Sequence, residues 1–499
     1  MKLYYNVEDK PKFGRVLVFA LQQVLAIMAA TIAVPSIVGN GMSQAAALFG
    51  AGVGTLVYLL FTKFKSPVFL GSSFAFLGSM FAAFGGAISV EAGYLGLVIG
   101  ALLAGLVYVV LSFVVKAVGT NWISKLMPAV VIGPTVAIIG LSLAGNAIGD
   151  LMKGNVFNNI QQIWEVVSDA TAEGAVLFPD GQYYALHDVA LLSTSPWIAL
   201  LCGLITLFVT IIASVYGKKM VKMIPFIIGI CAGYALAAIF TGIGYATGND
   251  ALKVINFSLF KNIEWIPNFT FIKAFKGIKD FGGTGKFLGY LGTVAVAYVP
   301  VAFVVFAEHI ADHKNLSSII ERDLLTEPGL DKTLLGDGVG SMVGAFFGGC
   351  PNTTYGESVG CVAISGNASI ITIFVTAIMA IVLSFIGPFA TFLATIPSCV
   401  MGGVCIALYG FIAVSGLKMI QNVDLNDNKN LFVVSVILIA GVGQLALTIG
   451  KVELTDVACA LILGILVNVI CRAFGKKENV DANAETVATE ANEAANELE

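Results

Sequence analysis

A single carboxyl group stands out in the most apolar part of the chain. Glu357 is the only aspartate, glutamate, lysine or arginine between Asp337 and Lys418, and it ends the polar sequence Pro-Asn-Thr-Thr-Tyr-Gly-Glu at 351–357. An ionisable side chain inside a bilayer costs about 2.5 to 3.5 kcal/mol even on lenient insertion scales, so it usually serves a function. The alternative is a carboxyl at the membrane surface or one tied to a neighbouring helix. Strongly apolar sequence on both sides favours a functional position in the membrane interior.

A second acidic pair follows a long apolar run. Glu308 and Asp312 lie four residues apart, on one face of a helix, and His309 and His313 directly follow them. Because the uncharged run at 287–307 is already long enough to cross a membrane, Glu308 can equally mark the end of that helix. Histidines at such positions are also more often interfacial residues than ligands. Two of the chain's three histidines beside this glutamate nevertheless suggest a cluster that exchanges protons.

Composition decides the class of protein. Hydrophobic residues make up 58% of the 499 residues and charged residues only 12%, which is far more apolar than a soluble domain. The first apolar run is too long for the core of a cleavable signal peptide, and it leads directly into further runs. The chain is therefore predicted to be an integral membrane protein with one continuous apolar body. Its eight cysteines lack metal-ligand spacing, so we expect free thiols and neither a metal site nor a cofactor.

The apolar runs predict an all-α polytopic membrane protein with fourteen transmembrane segments. Two of these segments, the third and the tenth, are too short to cross a membrane alone. The predicted segments are 14–36, 45–62, 73–87, 93–117, 123–145, 196–216, 222–246, 287–312, 333–349, 355–366, 369–394, 397–417, 430–448 and 453–473.

The two short segments occupy matching positions. Residues 66–74 and 349–355 each contain a proline, then small hydroxyl residues and then an aromatic residue, and each pattern lies at the third segment of its half. Seven segments per half is an odd number, so the second half must enter the membrane from the opposite face. This is the inverted-repeat plan of many secondary transporters, in which discontinuous segments at matching positions form the binding site near the middle of the membrane.

Each short segment predicts a helix that begins inside the membrane. Pro67 and Pro351 prevent a continuous helix, and the small polar residues after them are favourable N-caps. Two helix N-termini would then offer free N–H groups to a ligand. Phe74 and Tyr355 are each compatible with ordinary helix packing, but their matched positions favour aromatic contacts with a flat ring. The expected capping residues are Ser72, Ser73, Asn352, Thr353 and Thr354.

The distribution of charge predicts the orientation. With fourteen segments, most clusters of basic residues fall on one side, so both termini are expected in the cytoplasm. Residues 247–286, external in this arrangement, depart from the rule because they hold six lysines against three acids. Residues 478–499 carry seven acidic side chains and no basic one, which is typical of a solvated tail that is disordered or loosely helical.

Several motifs together resemble a known family. The sequences at 351–357, 71–76, 307–309 and 322–330 resemble those of the nucleobase/ascorbate transporter family (nucleobase:cation symporter-2 type), in particular its uracil permeases. The resemblance extends from about residue 14 to residue 473. It implies a core domain at 14–117 and 287–394 that moves against a gate domain at 123–246 and 397–473. It also implies short antiparallel β-strands in segments 3 and 10, near 67–72 and 349–354, which would pair at the membrane centre.

The resemblance also implies roles for single residues. Glu308 matches the glutamate that hydrogen-bonds the pyrimidine, and Glu357 matches a second glutamate that helps to bind substrate and to couple its movement to protons. The matches around the base are Phe74, Tyr355, Gly356 and Ala30. The candidates for proton coupling are Glu308, Glu357, Asp312 and His313. The chain departs from the family pattern at Asp312, where the best-known members have histidine, and at Ser358 and Ser365.

These features predict a secondary transporter that imports uracil by cation symport, with the proton as the expected cation. Uracil has two N–H donors and two carbonyl acceptors, which ionised carboxylates, protonated carboxyls and backbone amides can match. The alternatives are a purine such as xanthine or urate, sodium as the coupling ion, and an anion exchanger or channel. The anion alternative is disfavoured because the expected site holds two carboxylates and no arginine or lysine.

The expected setting is a multi-pass protein of the cell membrane. Its implied partners are the base, the coupling cation, lipid and a second copy of the chain bound through the gate domain, with no nucleic acid. An enzyme is not expected, since the chain has no HExxH motif.

Overall fold

The computed structural model describes residues 3–120, 122–123, 127–167, 176–177, 183–218, 220–261, 263–281, 284–421, 423–449 and 452–473. The acidic tail predicted at 478–499 lies outside the described residues. Helices dominate the part that is described, and short strands interrupt them at the two positions where the sequence predicts broken segments.

In the first half of the chain, the described residues form nine helices. The serines before α2 and α4 cap these helices by accepting hydrogen bonds from the backbone N–H groups three residues later. The elements are α1 (Phe13–Val38), α2 (Gln44–Phe61), β1 (Leu70–Ser72), a 3-10 turn (Phe74–Phe76), α3 (Leu77–Gly85), α4 (Val90–Val118), α5 (Ala129–Ser142), α6 (Ala144–Asp150), β2 (Phe157–Val167), β3 (Val176–Leu177), β4 (Tyr183–Leu192), α7 (Pro196–Tyr216), α8 (Met220–Met223) and α9 (Pro225–Thr247). Strand β4 pairs antiparallel with both β2 and β3 in a small sheet.

The second half also alternates long helices with a short strand. Its elements are α10 (Thr270–Gly277), α11 (Thr284–Ile320), a π-helical turn (Leu325–Gly329), α12 (Leu330–Gly348), β5 (Asn352–Thr354), α13 (Gly356–Ser365), α14 (Ile370–Ser384), α15 (Gly387–Thr395), α16 (Ser398–Met419), α17 (Asn428–Val442), β6 (Leu447–Ile449), β7 (Val452–Leu454) and α18 (Asp456–Ala473).

The described chain is a mostly helical, multi-pass membrane protein. Nine of its helices are long and apolar enough to cross a membrane, and the pair α14–α15 would make a tenth span. The segment predicted at 369–394 is therefore not one straight helix, because α14 and α15 meet at 84°. Pro388 lies in the first turn of α15 and has no N–H with which to continue α14. The count of fourteen segments stays a prediction.

The two predicted strands exist and pair with each other. Leu70, Gly71 and Ser72 lie opposite Thr354, Thr353 and Asn352 in antiparallel register. Ser73 extends the contact, because its N–H donates to the carbonyl of Pro351 at 2.9 Å. Strand β1 thus joins the first half of the chain to the second half through backbone hydrogen bonds.

Glycines allow α2 and α12 to pack at very short distance. A Cβ on Gly50 would lie 2.3 Å from the carbonyl oxygen of Gly344, and a Cβ on Gly54 would lie 2.7 Å from that of Gly340. The glycines of α12 at 340, 344 and 348 thus serve helix packing within the protein, against the small residues of α2. This contact holds the two strands in place, since the side chain of Asn352 donates to the carbonyl of Gly50 at 3.1 Å.

The helices pack in two groups. One group holds α2 against α12 and α14, α4 against α11 and α12, and α1 against α14. The other group holds α16 against α5 and α7, α7 against α9, and α17 against α5 and α18. Helix α11 of the first group also contacts α5 and α18 of the second, so it runs along the boundary between them.

The N-terminal segment is fastened across the end of α13. The Tyr4 N–H donates to Gly366 O at 2.7 Å, and the Ala368 N–H donates to Tyr5 O at 2.9 Å. A group of charges lies beside this segment: Arg322 bonds Glu8 at 2.5 Å and contacts Glu327 at 3.3 Å, and Lys65 also pairs with Glu327. We call these four charged residues the surface clamp.

One lysine of the exceptional stretch 247–286 has a structural role. Lys273 in α10 donates to the carbonyl of Gly41 at 2.9 Å, and its ammonium group lies 4.4 Å from the ring centre of Tyr94. Local contacts therefore account for this positive charge on its side of the protein.

Candidate functional site

A cavity of about 660 Å³ lies between the two groups of helices. Its polar wall comes from α11, β5 and the start of α13, where Glu308, Asp312 and Glu357 all line it. The opposite wall is formed by α5, α9 and α16, and includes Val136, Phe226 and Phe411. The cavity therefore brings together the carboxyl groups from both sequence motifs.

Glu308 lies within its helix and does not mark the end of it. Helix α11 continues to Ile320, three turns beyond Glu308, and the glutamate is half-buried in the cavity wall. Asp312 lies one turn later on the same face and is almost fully buried. The hydroxyl of Thr354 donates to Asp312 Oδ2 at 2.7 Å, so strand β5 holds this carboxyl group in place.

Glu357 owes its position to the start of a helix. Tyr355 is the N-cap of α13, and Glu357 lies in the first turn, where a carboxylate is favoured by the helix dipole. Gly356, just before it, is exposed to the cavity. A Cβ at this position would meet only Asp312 Oδ1 within 4 Å, at 3.9 Å, so the space beside Gly356 is open. The backbone N–H groups at this helix start can therefore be approached by a ligand.

Two aromatic rings complete the wall near the strands. Tyr355 is fixed, because its hydroxyl donates to Ser72 O at 2.8 Å and its ring lies on Gly71, where a Cβ would be only 2.3 Å from the ring. Phe74 meets the ring of Tyr409 edge-on, with 5.5 Å between ring centres. Both Phe74 and Tyr355 line the cavity, as a pair that contacts a flat ring requires.

A second cavity of about 580 Å³ lies along the same boundary. Its lining includes Ser142, Asn146 and Asp456, together with Gly78 of α3. Phe74 lines both cavities.

Comparison with known proteins identifies the family. A family model described as "Permease family" (Xan_ur_permease) matches residues 14–178 and 184–450. The chain belongs to this family. The permease is 35% identical over 468 residues to a uracil permease of Bacillus caldolyticus, covering 93% of this chain and 94% of that protein. Uracil permeases of Bacillus subtilis (strain 168) and Escherichia coli (strain K12) are 34% and 32% identical, over 97% and 96% of this chain and 98% and 97% of theirs.

Solved structures share the fold of the permease at low sequence identity. The murine Solute Carrier 26 family member A9 anion transporter, in the inward-facing state, matches with a TM-score of 0.59 and 12% identity, over 94% of this chain and 69% of that one. The transmembrane domain of the cyanobacterium bicarbonate transporter BicA matches with a TM-score of 0.52 and 16% identity, over 93% and 99%. The predicted resemblance to permeases is confirmed, and so is the expectation of a transporter that is not an enzyme.

The predicted capping by polar side chains is wrong. Ser73 is the N-cap of the 3-10 turn at Phe74 and Tyr355 is the N-cap of α13, and neither side chain makes a capping hydrogen bond. The other four predicted caps lie within the two strands: Ser72 in β1 and Asn352, Thr353 and Thr354 in β5. Strand pairing occupies the backbone at these positions. The side chains of Asn352 and Thr354 bond Gly50 and Asp312, whereas the buried hydroxyls of Ser72 and Thr353 have no hydrogen-bond partner among the described residues.

Two further predicted site residues lie away from the cavity. Ala30 is fully buried and is not among the described residues that line the cavity, whereas Ala26, one turn earlier in α1, does line it. His313 is also fully buried, and it bonds Tyr58 and the carbonyl of His309 instead. A helix turns by about 100° per residue, so His313 cannot share the cavity face with Asp312.

The expectation that the site contains no lysine is wrong. Lys222, just before α9, and Lys418, near the end of α16, both line the cavity that holds the carboxyl groups. Both lysines stand at the ends of apolar runs in the sequence, and only the packing of these helices shows that they reach the same cavity.

Ser358 is a structural residue that sequence reasoning did not assign. It accepts hydrogen bonds from Gln23 Nε2 at 2.6 Å and from the Phe69 N–H at 3.3 Å, and it is fully buried. The spacing at 356–360 also fits GxSxG, which marks hydrolase nucleophiles on exposed strand-to-helix turns. Because Ser358 is buried inside α13 with its oxygen already bonded, that reading does not apply. Ser358 instead ties α13 to α1 and to the segment before β1.

Proposed function

We propose that this permease imports uracil by symport with a cation, and that the cation is the proton. The observation that carries the proposal is the convergence of Glu308 and Glu357, both half-buried, on the wall of one cavity. Similarity to uracil permeases over nearly the whole chain supports the choice of base.

The groups in the cavity match the chemistry of uracil. Carboxylates accept from its two N–H groups, while protonated carboxyls and the N–H groups at the start of α13 donate to its carbonyls. Phe74 and Tyr355 offer apolar faces to the ring. In this proposal Glu308 hydrogen-bonds the base, and Glu357 binds it from the helix start.

Proton coupling needs groups that gain and lose a proton beside the substrate. Glu308, Glu357 and Asp312 are the cavity groups suited to this role. One charge moving down a potential of 100 mV yields about 2.3 kcal/mol, enough for about fifty-fold accumulation of a neutral solute. A single coupled proton therefore suffices for a scavenging importer.

We further propose that transport proceeds by alternating access in a fourteen-segment, seven-plus-seven inverted repeat. The two packing groups correspond to a core domain at 14–117 and 287–394 and a gate domain at 123–246 and 397–473. The two cavities that share Phe74 support this proposal, since both are lined by residues of the two groups of helices, and motion of one domain along the other would change both. The expected location is the cell membrane, with both termini cytoplasmic and two copies joined through the gate domain.

Uptake into proteoliposomes tests the proposal. An imposed proton gradient should drive accumulation of labelled uracil, and Glu308→Gln and Glu357→Gln should each abolish it, because glutamine keeps the shape but cannot release a proton. Glu264→Gln, an exposed loop position, is the matched control and should transport as the wild type does. Full gradient-driven transport in both cavity variants would refute the proposal.

One observation favours a second candidate. Lys222 and Lys418 give the cavity positive charge, which suits an anionic substrate. Competition of labelled uracil uptake by a panel of uracil, xanthine, urate and bicarbonate separates the two candidates. Competition by bicarbonate, or by urate above uracil, would favour the anion.

A further inference from the structure

Behind the wall of the cavity lies a cluster of titratable groups that the proposed mechanism does not use. His309 and His313 follow Glu308 and Asp312 in α11 but point away from the cavity, and both are fully buried. Asp337 of α12 faces them and is 1% exposed. Its Oδ2 lies 2.7 Å from His309 Nδ1.

The hydrogen bonds around His309 define where protons are. The hydroxyl of Thr333 donates its only proton to Leu330 O at 3.2 Å. In its contact with His309 Nε2, at 3.1 Å, the Thr333 oxygen is therefore the acceptor. Nε2 therefore carries a proton, and the short contact between Nδ1 and Asp337 needs one more. That proton is either on the carboxyl, beside a neutral imidazole, or on the imidazole, beside a carboxylate. In both forms the pair holds one exchangeable proton and has no net charge.

Loss of this proton has a structural cost. The pair would become a buried anion, and a histidine that shifted its remaining proton to Nδ1 would oblige Thr333 to give up its bond to Leu330. Asp337 Oδ1 has no hydrogen-bond partner among the described residues, and no described lysine or arginine forms an ion pair with Asp337. A lone carboxylate is poorly stabilised in such surroundings, so the loaded pair is the favoured state.

The pair is connected in two directions. Towards the strands, a cavity of about 10 Å³ lined by Asp337, Tyr108 and Asn352 has room for about one water molecule. Along α11, the rings of His309 and His313 lie 4.1 Å apart, and His313 Nε2 lies 2.8 Å from the hydroxyl of Tyr58.

Tyr58 continues this path. Its hydroxyl donates to Ser66 Oγ at 2.7 Å, and Ser66 directly follows Lys65 of the surface clamp. A line of buried polar groups thus leads from the pair towards the charged surface. The titratable groups that face the pair are Tyr58 on α2, Tyr108 on α4, and Glu308, Asp312 and His313 on α11.

We propose that the His309–Asp337 pair is a second proton-binding site of the permease, separate from the carboxyl groups of the cavity, and that it exchanges its proton in each transport cycle. The inference rests on the proposed uracil symport. The pair is neutral when it holds the proton and anionic when it has released the proton. The exchange involves no other reactant.

The test compares driven uptake with exchange in proteoliposomes. His309→Gln places beside Thr333 and Asp337 an amide that does not titrate near neutral pH, and Asp337→Asn places such an amide beside His309. A gradient of about one pH unit drives about tenfold accumulation per coupled proton in the wild type. With one of two coupled protons lost, both variants should accumulate uracil about tenfold less than the wild type and show about half of its uracil-induced proton influx with an entrapped pH dye, while exchanging labelled for unlabelled uracil.

The outcomes are distinct. Accumulation by either variant at the wild-type level overturns the inference. Failure of the wild type itself to accumulate uracil refutes the proposed function instead. Lys314→Gln, at an exposed position on the same helix, is the matched control and should keep both accumulation and exchange.

If the variants also lose the exchange of labelled for unlabelled uracil, a measurement on the wild type decides. The chain has only three histidines, so selective ¹⁵N labelling gives a spectrum that His313→Gln and His187→Gln can assign. We expect the His309 ring to change its protonation or its tautomer with pH or with uracil. A ring that stays unchanged from about pH 5 to about pH 9, with and without uracil, overturns the inference.

Discussion

At the scale of single residues, the position of Tyr355 depends on what its neighbour lacks. The ring occupies the space that a side chain at Gly71 would need, and the hydroxyl reaches Ser72 only from there. The position of Tyr355 in the cavity wall therefore depends on the residue at 71, in the opposite strand, being a glycine.

Gly71→Ala should displace Tyr355 and weaken binding of uracil. The new Cβ would lie 2.3 Å from the ring, and overpacking of this kind costs about 1 to 3 kcal/mol, which corresponds to about five- to 150-fold in affinity. Tyr355→Phe keeps the ring and loses one hydrogen bond, which is worth about 0.5 to 1.5 kcal/mol. Uracil affinity of purified protein is the measurement, with Gly85→Ala, where the added Cβ meets nothing within 4 Å, as control. Unchanged affinity in Gly71→Ala would show that Tyr355 does not shape the site.

The sequence predicts the residue types of the site better than their partners. Glu357, Phe74 and Tyr355 line the cavity as expected, because a broken segment places its polar residues at the break. The bond between Thr354 and Asp312 could not be predicted, since the two residues come from different elements. The capping prediction fails for a related reason: the same small polar residues suit a strand as well as a helix start, and the partner strand decides between them.

At the scale of elements, the contact between α2 and α12 determines how closely the two halves of the chain approach. The facing glycines leave no room for a methyl group, and Asn352 fills the remaining space beside Gly344. Close backbone approach through small residues is the usual way in which membrane helices associate.

Gly344→Ala should destabilise the fold. The added Cβ would lie 2.1 Å from the side-chain nitrogen of Asn352, which itself is bonded to Gly50, so the expected loss is about 1 to 3 kcal/mol. Gly292→Ala is the matched control in α11, because a Cβ there meets nothing within 4 Å and alanine favours the helix by up to about 1 kcal/mol. Thermal unfolding in detergent should show a lower midpoint for Gly344→Ala only. Equal midpoints for the two variants would contradict the role of this contact.

Hydropathy predicts that these elements exist but not where they bend. The apolar run at 369–394 is uninterrupted, yet α14 and α15 turn by 84°. The converse holds for α11, where the charges at 308 and 312 suggest an end and the helix continues to Ile320. In each case packing against other elements decides where the helix bends or ends, and the sequence of a single segment does not carry that information.

At the scale of the whole molecule, the surface clamp ties together segments that are far apart in sequence. Glu8 bonds Arg322, Arg322 contacts Glu327, and Glu327 pairs with Lys65. The hydrogen bond from Arg322 holds the pKa of Glu8 below its usual range, and those from Lys65 and Arg322 do the same for Glu327. The side chains of Glu8 and Glu327 are largely exposed, so solvent reduces the benefit.

Acid should loosen the clamp. Because both pKa values are lowered in the folded protein, the stabilisation is present above the ordinary glutamate pKa of about 4.3 and is lost as the pH falls through the lowered values. Hydrogen exchange at residues 4–8, corrected for its intrinsic dependence on pH, should be slow near pH 7 and faster at about pH 3 and below. Arg322→Gln should exchange fast at both, and Lys314→Gln should behave as the wild type. Slow exchange in Arg322→Gln would show that the backbone bonds alone hold this segment.

The overall architecture is only partly visible in the composition and spacing of residues. The membrane class and the two broken segments at matching positions follow from them, whereas the pairing of their strands and the division into two moving bodies are implied by the resemblance to a family. Lys222 and Lys418 illustrate the limit: they are far apart in sequence and meet at one cavity because α9 and α16 pack side by side.

The bond between Gln23 and Ser358 has a consequence for how the protein is made. The two residues are 335 positions apart, and ribosomes add about 5 to 20 residues per second, so Gln23 waits roughly 17 to 67 seconds for its partner. Throughout that time α1 is in the membrane with an amide that has not yet met its native acceptor. The earliest-made helices must therefore be sheltered by the insertion machinery or by lipid headgroups until α13 emerges, and the binding site is completed late in biosynthesis.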